Sequence, residues 1–437
     1  MKNLSVSIEI DGTQREIGAI TGETVYTAQF RYADSYLRSG NARPVSFSLP
    51  LTEEPFSPEQ TRAFFEALLP EGFLRRTVAE NNRTDASDYL SLLEMLGAEC
   101  LGAVQIRGDH FYMPEPEYRP LDPDTMFKLA SEGATTSADL VVEAHLSLTG
   151  ASGKIGAYRG DDGQWYLPVG SAPSTHILKQ SHIRYDHIVQ NEQLALKTAA
   201  RLGISTVNSE MIEAHDQPTR SLKTATEVIL LAAERYDRTM TGSRRTISGL
   251  PCPLRLHQED FGQALGIAAA DKYERAGGAY MKKMFDLLKK YSASPIEDQL
   301  KLWDLIVFHW LIGNTDGHIK NFSLVYDRHL RSVRLAPAYD IVSTVVYDNH
   351  SSQMALAIGG EMDWYSIRRE TFEQATAELG LNRSIFMKRF DQLHGRFETE
   401  LRAAAEEMAG DGYDEAVDLA ETILEKHRGA LSSGTIV

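Results

Sequence analysis

The chain has 437 residues, 42% of them hydrophobic, which is enough for two or three domains with large cores. Asp and Glu number 61 against 45 Lys and Arg, and the resulting net charge of −16 disfavours autonomous binding to DNA or RNA. Two cysteines are too few for a disulfide framework or a cysteine metal site, and no apolar run is long enough to span a membrane, so we expect a cytoplasmic protein with no membrane partner.

The first hundred residues predict a small sheet and two helices. Val6, Ile8 and Ile10 alternate before Asp11-Gly12, which is typical of a hairpin, and residues 25–30 and 45–49 also favour extended chain. The first helix is predicted after Ser57-Pro58, with Gln60 completing a capping box, and the second over residues 88–96, with Ser87 as its cap and Gly97 as its end. This part gathers no catalytic side chains, so a docking role and a purely structural role are both open. Prolines mark a connector, with the boundary in residues 108–123.

A glycine-rich segment follows the connector. Gly150, Gly153 and Gly156 would let backbone N–H groups approach phosphates closely, before a predicted strand over residues 154–158. The spacing is neither that of a Walker A loop nor that of the protein-kinase glycine loop. A glycine-rich hairpin with no ligand is the alternative interpretation.

Two predicted strands then bring polar groups to their ends. Lys179 ends a strand over residues 175–179, from which an ammonium reaches nucleotide phosphates, although such a lysine is often only solvated. Glu192, in the first turn of a helix that ends at Gly203, either pairs with Lys179 or simply favours the helix dipole. A strand over residues 227–233 delivers residues 234–236 to a place that suits an adenine hinge, or is a core strand that meets a charged turn.

The second half of the sequence predicts mainly helices. Residues 238–249 read as a mobile polar loop, and helices are expected over residues 260–265, 280–291 and 296–312. The last of these ends at Gly313 and presents residues 313–321 at its C-terminal end. Helices near residues 371–379, 383–408 and 415–426 show amphipathic packing without evident chemistry.

Residues 313–321 carry the strongest chemical signal. In phosphoryl transfer an Asp accepts a hydroxyl proton, an Asn five residues later holds a magnesium ion, and a later Asp bridges that metal to the nucleotide; Asp316, Asn321 and Asp340 have this order. Predicted strands over residues 322–326 and 333–335 form a hairpin that would bring Asn321 and Asp340 to one metal.

Seven motifs occur in one order along the chain. They are Ser147-x-x-Gly150-x-x-Gly153-Lys154, Thr175-His176-Ile177-x-Lys179, Asn191-Glu192, Glu234-Arg235-Tyr236-Asp237-Arg238, His257-Gln258-Glu259-Asp260, Lys272-Tyr273-Glu274 and Gly313-x-Thr315-Asp316-Gly317-His318-x-Lys320-Asn321. Together they resemble the motifs of the HipA-type serine/threonine toxin kinases. The N-terminal part also resembles the N-terminal subdomain of the longer members, through residues 42–51 and Leu69-Pro70.

The resemblance implies an α+β, two-lobed protein-kinase-like fold with a small β-rich N-terminal subdomain and a mostly helical C-terminal lobe. The expected domains are residues 1–107, 124–243 (the N-lobe with the ATP loop) and 244–437 (the C-lobe). ATP and Mg²⁺ are the implied cofactors, with Asp316 as catalytic base and Asn321 and Asp340 as metal ligands. The implied ATP-binding residues are Thr149, Gly150, Ala151, Ser152, Gly153, Lys154, Lys179, Glu234, Arg235, Tyr236, His318, Ile319, Lys320, Asn321, Tyr339 and Asp340.

The resemblance also implies autophosphorylation at Ser147 and a protein substrate, an aminoacyl-tRNA synthetase with glutamyl-tRNA synthetase as first choice, whose modification arrests growth. Similar loops of the family often read Gly-Ala-Gln-x-Lys, whereas this chain has Ser152 followed by the added Gly153. Ser152 is therefore a second candidate for autophosphorylation. A helix-turn-helix antitoxin of the HipB type is the implied partner, with operator DNA reached mainly through it. A small-molecule kinase and a non-catalytic co-repressor that holds the antitoxin are the competing interpretations.

Overall fold

The computed structural model describes residues 2–108, 114–132, 134–144, 153–180, 185–214, 229–348 and 350–432. The chain forms two compact units: the first consists of residues 1–186, 210–269 and 325–332, and the second of residues 187–209, 270–324 and 333–437. The predicted N-terminal subdomain and most of the predicted N-lobe thus fall in one unit. The three predicted domain boundaries themselves stay predictions.

An antiparallel sheet with the order β3-β2-β1-β4 dominates residues 2–108. Asp11 and Gly12 both have positive φ, 50° and 76°, as a two-residue hairpin turn requires, so the predicted hairpin is confirmed. Leu4, Val6 and Ile8 are buried. The elements of this part are β1 Lys2–Ile10, β2 Thr13–Gly22, β3 Gln29–Tyr32, α1 Asp34–Leu37, α2 Pro58–Phe65, α3 Gly72–Asn81, α4 Tyr89–Leu96 and β4 Val104–Gly108.

The predicted capping box of α2 is confirmed, because the Ser57 side chain accepts from the Gln60 N–H and the Gln60 side chain accepts from the Ser57 N–H. The cap predicted for α4 was wrong by one residue. Asp88, not Ser87, accepts from the Ser91 N–H at 3.1 Å, and a carboxylate at this position also suits the helix dipole.

The extended segment predicted over residues 45–49 is not a strand. The Tyr32 hydroxyl accepts from the Val45 N–H at 2.8 Å and donates to the Leu49 carbonyl at 2.6 Å, which holds the segment as a turn with a single bridge between Ser46 and Leu49. Of the extended chain predicted over residues 25–30, only the end lies in a strand, in β3.

A six-stranded sheet with the order β5-β7-β6-β8-β10-β9 is formed within residues 117–234. The strands predicted over residues 154–158 and 175–179 are present. The helix that ends near Gly203 begins at Ile188, so Glu192 is its fifth residue and does not lie in its first turn as predicted. The elements are β5 Glu117–Pro120, α5 Pro123–Ser131, α6 Ala134–Ala144, β6 Lys154–Arg159, β7 Trp165–Val169, β8 His176–Gln180, α7 Ile188–Arg201, β9 Ser209–Glu213 and β10 Ile229–Glu234.

Two short strands, over residues 238–239 and 246–247, lie within the region predicted as a mobile loop. β11 pairs with β14, and β12 pairs with β13. These elements are β11 Arg238–Thr239, β12 Thr246–Ile247, β13 Leu250–Pro251, β14 Leu254–Arg255 and β15 Gln258–Asp260.

The remainder is mainly helical, as predicted. The buried face of α10 includes Trp303, Phe308 and Trp310. The elements are α8 Phe261–Leu265, α9 Tyr280–Tyr291, α10 Pro295–Ile312, β16 Ser323–Tyr326, β17 Val333–Leu335, β18 Gln353–Ile358, β19 Glu361–Asp363, α11 Arg369–Glu378, α12 Arg383–Gly410 and α13 Glu415–Ser432. None of the helices in the described residues is both long and apolar enough to cross a membrane.

Candidate active site

Two glycines shape the loop of residues 313–321, which we call the Asp316 loop. Gly313 ends α10 in the left-handed conformation, with φ +72°, and a Cβ there would lie 2.3 Å from a Val345 methyl group. A Cβ on Gly317 would lie 2.7 Å from Nδ1 of His309. Both positions therefore require glycine for the loop to run as it does.

Hydrogen bonds within the second unit fix the backbone at Thr315 and Asp316. The Asn314 side chain accepts from the Asp316 N–H at 3.1 Å, and the Thr344 hydroxyl accepts from the Thr315 N–H at 2.9 Å. Burial lowers the pKa of His309 to about 3, with a smaller contribution from His318. His309 is thus neutral, and its Nδ1 accepts from the Asn314 amide at 2.9 Å. The Asp316 side chain itself is exposed.

Asn321 and Asp340 lie together, as the hairpin predicts. The Asn321 amide donates to Oδ2 of Asp340 at 3.2 Å, and its oxygen accepts from the His318 N–H at 3.0 Å. The hairpin connection between β16 and β17 includes a bond from the Ala336 N–H to the Ser323 carbonyl at 2.8 Å. Asp340 has φ 56°, a left-handed conformation that Asp tolerates better than most residues.

The donor set of this pair fits magnesium. Carboxylate and amide oxygens are ligands that Mg²⁺ accepts, and it commonly takes only one or two protein ligands and fills its shell with water and phosphate oxygens. Within the described ranges, no group of three or more His, Cys, Asp and Glu side chains is placed to hold a metal.

The other predicted nucleotide contacts of the second unit surround this pair. His318, Ile319 and Lys320 are buried. The Tyr339 hydroxyl donates to the Lys320 carbonyl at 3.0 Å and lies 2.5 Å from the Ser323 hydroxyl, so Tyr339 stabilises the backbone just before Asn321.

Two lysines face each other in the first unit. Lys154 on β6 and Lys179 on β8 are directly opposite in the antiparallel register, and both are buried. Residues directly opposite each other in an antiparallel pair carry their side chains on the same face of the sheet, so the two ammonium-bearing side chains share one face. Such a pair suits a place where phosphate groups bind.

The predicted hinge follows directly from β10, where Glu234 pairs with His176 of β8. Burial lowers the pKa of His176 to about 4. The Arg235 side chain points into the protein interior, where its Nε–H donates to Asp237. The backbone N–H of Arg235 donates to the Thr175 carbonyl at 2.9 Å, and the backbone carbonyl of Arg235 accepts from the Arg238 N–H at 3.2 Å. Glu234 is exposed and Tyr236 is half-buried, whereas Arg235 is buried.

Sequence reasoning missed a buried ion network behind this hinge, which we call the Glu99 network. Oε1 of Glu99 accepts from Arg235 at 3.1 Å and from Arg238 at 2.7 Å, and Oε2 accepts from Arg255 at 2.6 Å. The buried side chains of this network are Glu9, Glu99, Arg235, Asp237, Arg238 and Arg255. Arg245, whose side chain is 40% exposed, also pairs with Glu9. Two members of the network thus come from the predicted N-terminal subdomain. Glu9 and Glu99 are far apart in the sequence from the arginines with which they pair, so no local sequence pattern indicated these contacts.

The charges of this network are stabilised by one another. Burial alone would raise the pKa of Glu99, but Arg238, Arg255 and Arg235 bring it down to about 2. Burial also opposes ionisation of Asp237, and Arg235 and Arg238 nevertheless hold the pKa of Asp237 below its usual range. Asp237 further accepts from the Gly102 N–H at 2.6 Å.

Sequence reasoning also missed a contact of Asp316. The Tyr273 hydroxyl donates to Oδ1 of Asp316 at 2.6 Å. The motif Lys272-Tyr273-Glu274 carried the only signal, and it indicated no role. Ser147, Thr149, Gly150, Ala151 and Ser152 lie outside the described residues.

The fold and sequence define the class of this protein. The sequence model of the HipA-like C-terminal domain matches residues 146–405, and that of the HipA N-terminal domain matches residues 8–107. The chain therefore belongs to the HipA family. The predicted α+β fold, with its β-rich N-terminal part and helical C-terminal part, is confirmed.

Individual relatives agree with this assignment. The chain is 32% identical to a Sinorhizobium fredii protein named "Putative kinase Y4mE", over 87% of each chain. It is 26% identical to the Shewanella oneidensis protein named serine/threonine-protein kinase toxin HipA, over 85% of this chain and 83% of that one. A solved complex of Shewanella oneidensis HipA, HipB and operator DNA contains a chain that matches with a TM-score of 0.75 at 22% identity, over 98% of this chain and 97% of that one.

Proposed function

We propose that this protein is an ATP- and Mg²⁺-dependent serine/threonine-protein kinase and the toxin of a toxin-antitoxin pair. The observation that carries the proposal is the contact of Asn321 with Asp340 at 3.2 Å. Asn321 follows the exposed Asp316 by five residues in the same loop. A base, and a separate pair of oxygen ligands, are what phosphoryl transfer requires of a protein.

The proposed reaction assigns one task to each group. Asp316 accepts the proton of a seryl hydroxyl as the seryl oxygen forms a bond to the γ-phosphorus, and the bond from that phosphorus to the β–γ bridging oxygen breaks, which leaves ADP. Lys154 and Lys179 would bind the phosphates, and Glu234 and Tyr236 the adenine. Magnesium at Asn321 and Asp340 would neutralise phosphate charge as it shifts to the leaving group.

The toxin role rests on the family and on HipA of Shewanella oneidensis. That protein is named a serine/threonine-protein kinase toxin, and a solved complex contains it with HipB and operator DNA. By analogy we propose an antitoxin of the HipB type for this chain. The net charge of −16 favours an arrangement in which the antitoxin, rather than this protein, supplies most of the DNA-binding surface.

The finer assignments of the proposal concern substrate and self-modification. The substrate would be a serine of an aminoacyl-tRNA synthetase, with glutamyl-tRNA synthetase tested first, and its modification would stop growth. Ser147 would be the autophosphorylated residue, with Ser152 as the alternative.

Labelled ATP tests the proposal. Purified protein incubated with γ-labelled ATP, Mg²⁺ and a cell lysate should label a discrete protein band. Label only in small molecules would instead indicate a small-molecule kinase. A melting temperature that ATP and Mg²⁺ do not raise, together with no labelling, would favour the non-catalytic co-repressor.

A further inference from the structure

The proposed mechanism gives no role to Tyr273, although Tyr273 contacts Asp316. We infer that Tyr273 is a positioning residue that holds the Asp316 carboxylate in its reactive orientation, an inference that rests on the proposed function. Its hydroxyl donates to Oδ1 of Asp316 at 2.6 Å, within the range of a strong bond to a carboxylate.

The backbone on both sides of Tyr273 is anchored. The Lys272 carbonyl accepts from the Ile319 N–H of the Asp316 loop at 3.4 Å, and the Glu274 N–H donates to the Ala355 carbonyl at 2.9 Å. The Glu274 carboxylate in turn accepts from the Ala357 N–H at 2.9 Å. The tyrosine is therefore attached to a fixed segment rather than to a loose loop.

The ring of Tyr273 is held by specific contacts more than by burial. It meets the His318 ring edge-to-face, with centroids 5.4 Å apart, and the Lys272 ammonium lies 5.4 Å from its centroid. The side chain is nevertheless 46% exposed. A tyrosine that only filled a core would be buried, so this residue is better explained by its hydroxyl than by its hydrophobic surface.

The geometry leaves room for the substrate. A carboxylate has two oxygens, and the terminal torsion of Asp is soft, so a bond at Oδ1 fixes the plane of the group. Oδ2 then has a defined direction from which to accept the seryl proton. Without the tyrosine hydroxyl, the carboxylate would sample orientations that do not react.

A matched pair of variants tests this inference in the full-length protein. Tyr273→Phe removes the hydroxyl and keeps the ring, and Tyr280→Phe removes a neighbouring hydroxyl that donates to the Asp271 carbonyl at 2.8 Å, away from Asp316. We expect kcat of Tyr273→Phe to fall about tenfold or more, the effect of losing a bond to a charged group. The KM for ATP should stay within about twofold, and Tyr280→Phe should keep the wild-type kcat.

Restoring only the hydroxyl separates positioning from packing. A fluorotyrosine at position 273, introduced by nonsense suppression, should return most of the lost kcat. Equal kcat for Tyr273→Phe and Tyr280→Phe, or a fluorotyrosine protein as slow as Tyr273→Phe, would overturn the inference. A wild-type protein without phosphoryl transfer would instead overturn the proposed function, so the two failures are distinguishable.

Discussion

The Glu99 network and the Asp316 loop use the same types of side chain under opposite conditions. Glu99 is buried and accepts from three arginines, whereas Asp316 is exposed and accepts from one tyrosine. Buried charge is tolerated only where nearly every charge is matched inside the protein, while a catalytic carboxylate must stay accessible to a substrate. Changes in the network should therefore alter stability, and changes in the loop should alter activity.

The largest effect should come from the proposed metal ligand Asp340. Asp340→Asn keeps the shape of the side chain, and Asn also tolerates φ 56°. We expect the rate of phosphoryl transfer to fall on the order of 10³-fold, equivalent to about 4 kcal/mol, with unchanged unfolding free energy. Initial rates over a Mg²⁺ titration measure this effect. Asp391→Asn, a surface control in the same unit, should keep the full rate, and a full rate for Asp340→Asn would refute the ligand assignment.

The next effect should be on folding. Glu99→Gln removes the negative charge that three buried guanidinium groups share, so their positive charge is no longer fully neutralised. We expect a loss of about 3 kcal/mol or more in unfolding free energy. Denaturant unfolding of both proteins gives this value. Glu407→Gln removes a half-exposed partner of Lys197 and should cost less than about 1 kcal/mol. Similar losses in both variants would show that the buried network has no special weight.

The same carboxylate gives a test at acid pH. The pKa of Glu99 in the folded protein is about 2, below its ordinary value of 4.5. Its contribution to stability is therefore present above pH 4.5 and is lost as the pH falls towards 2. The difference in unfolding free energy between wild type and Glu99→Gln should shrink over that range.

Glu259 should give a smaller effect of opposite sign. Burial raises the pKa of Glu259 to about 7, although bonds from Ser46 and Tyr326 favour its charged form. Because the pKa of Glu259 is raised on folding, its contribution to stability is fully present below pH 4.5, the ordinary pKa. This contribution is lost as the pH rises through 7. Relative to Glu259→Gln, the wild type should lose about 2 kcal/mol of unfolding free energy between pH 5 and pH 7. Parallel pH profiles of the two proteins would contradict this expectation.

The smallest effect is expected at Tyr339. Tyr339→Phe removes the bond from its hydroxyl to the Lys320 carbonyl at 3.0 Å, which should loosen the predicted nucleotide contacts. We expect the KM for ATP to rise about fivefold, equivalent to about 1 kcal/mol, with kcat almost unchanged. Ser323→Ala, which removes the hydroxyl beside Tyr339, should act in the same direction but less. A fall in kcat at constant KM would place Tyr339 in the chemical step instead.

Local chemistry made several elements predictable. The capping box at Ser57, the helix end at Gly313 and the turn at Asp11-Gly12 depend on residues adjacent in sequence, and the structure confirms all three. The contact of Asn321 with Asp340 was also predictable, because a short hairpin joins them.

Long-range contacts explain what sequence reasoning missed. Residues 45–49 have strand-like apolar alternation, but the Tyr32 hydroxyl bonds the Val45 N–H and the Leu49 carbonyl, and the segment forms a turn. Arg255 and Glu99 are 156 positions apart, so no local pattern could show that they pair. Tyr273 and Asp316 are likewise 43 positions apart, and the motif around Tyr273 gave a resemblance but no partner.

Phosphopeptide mass spectrometry tests the central claim most directly. Wild-type protein and Asp316→Asn would each be incubated with ATP, Mg²⁺ and purified glutamyl-tRNA synthetase, after a thermal-shift measurement shows that both bind ATP. We predict phosphoserine on the synthetase, or on this protein at Ser147, with the wild type and none with the variant. Equal phosphoserine with both proteins would contradict the assignment of Asp316 as the base, and its absence with the wild type would contradict the proposed kinase activity.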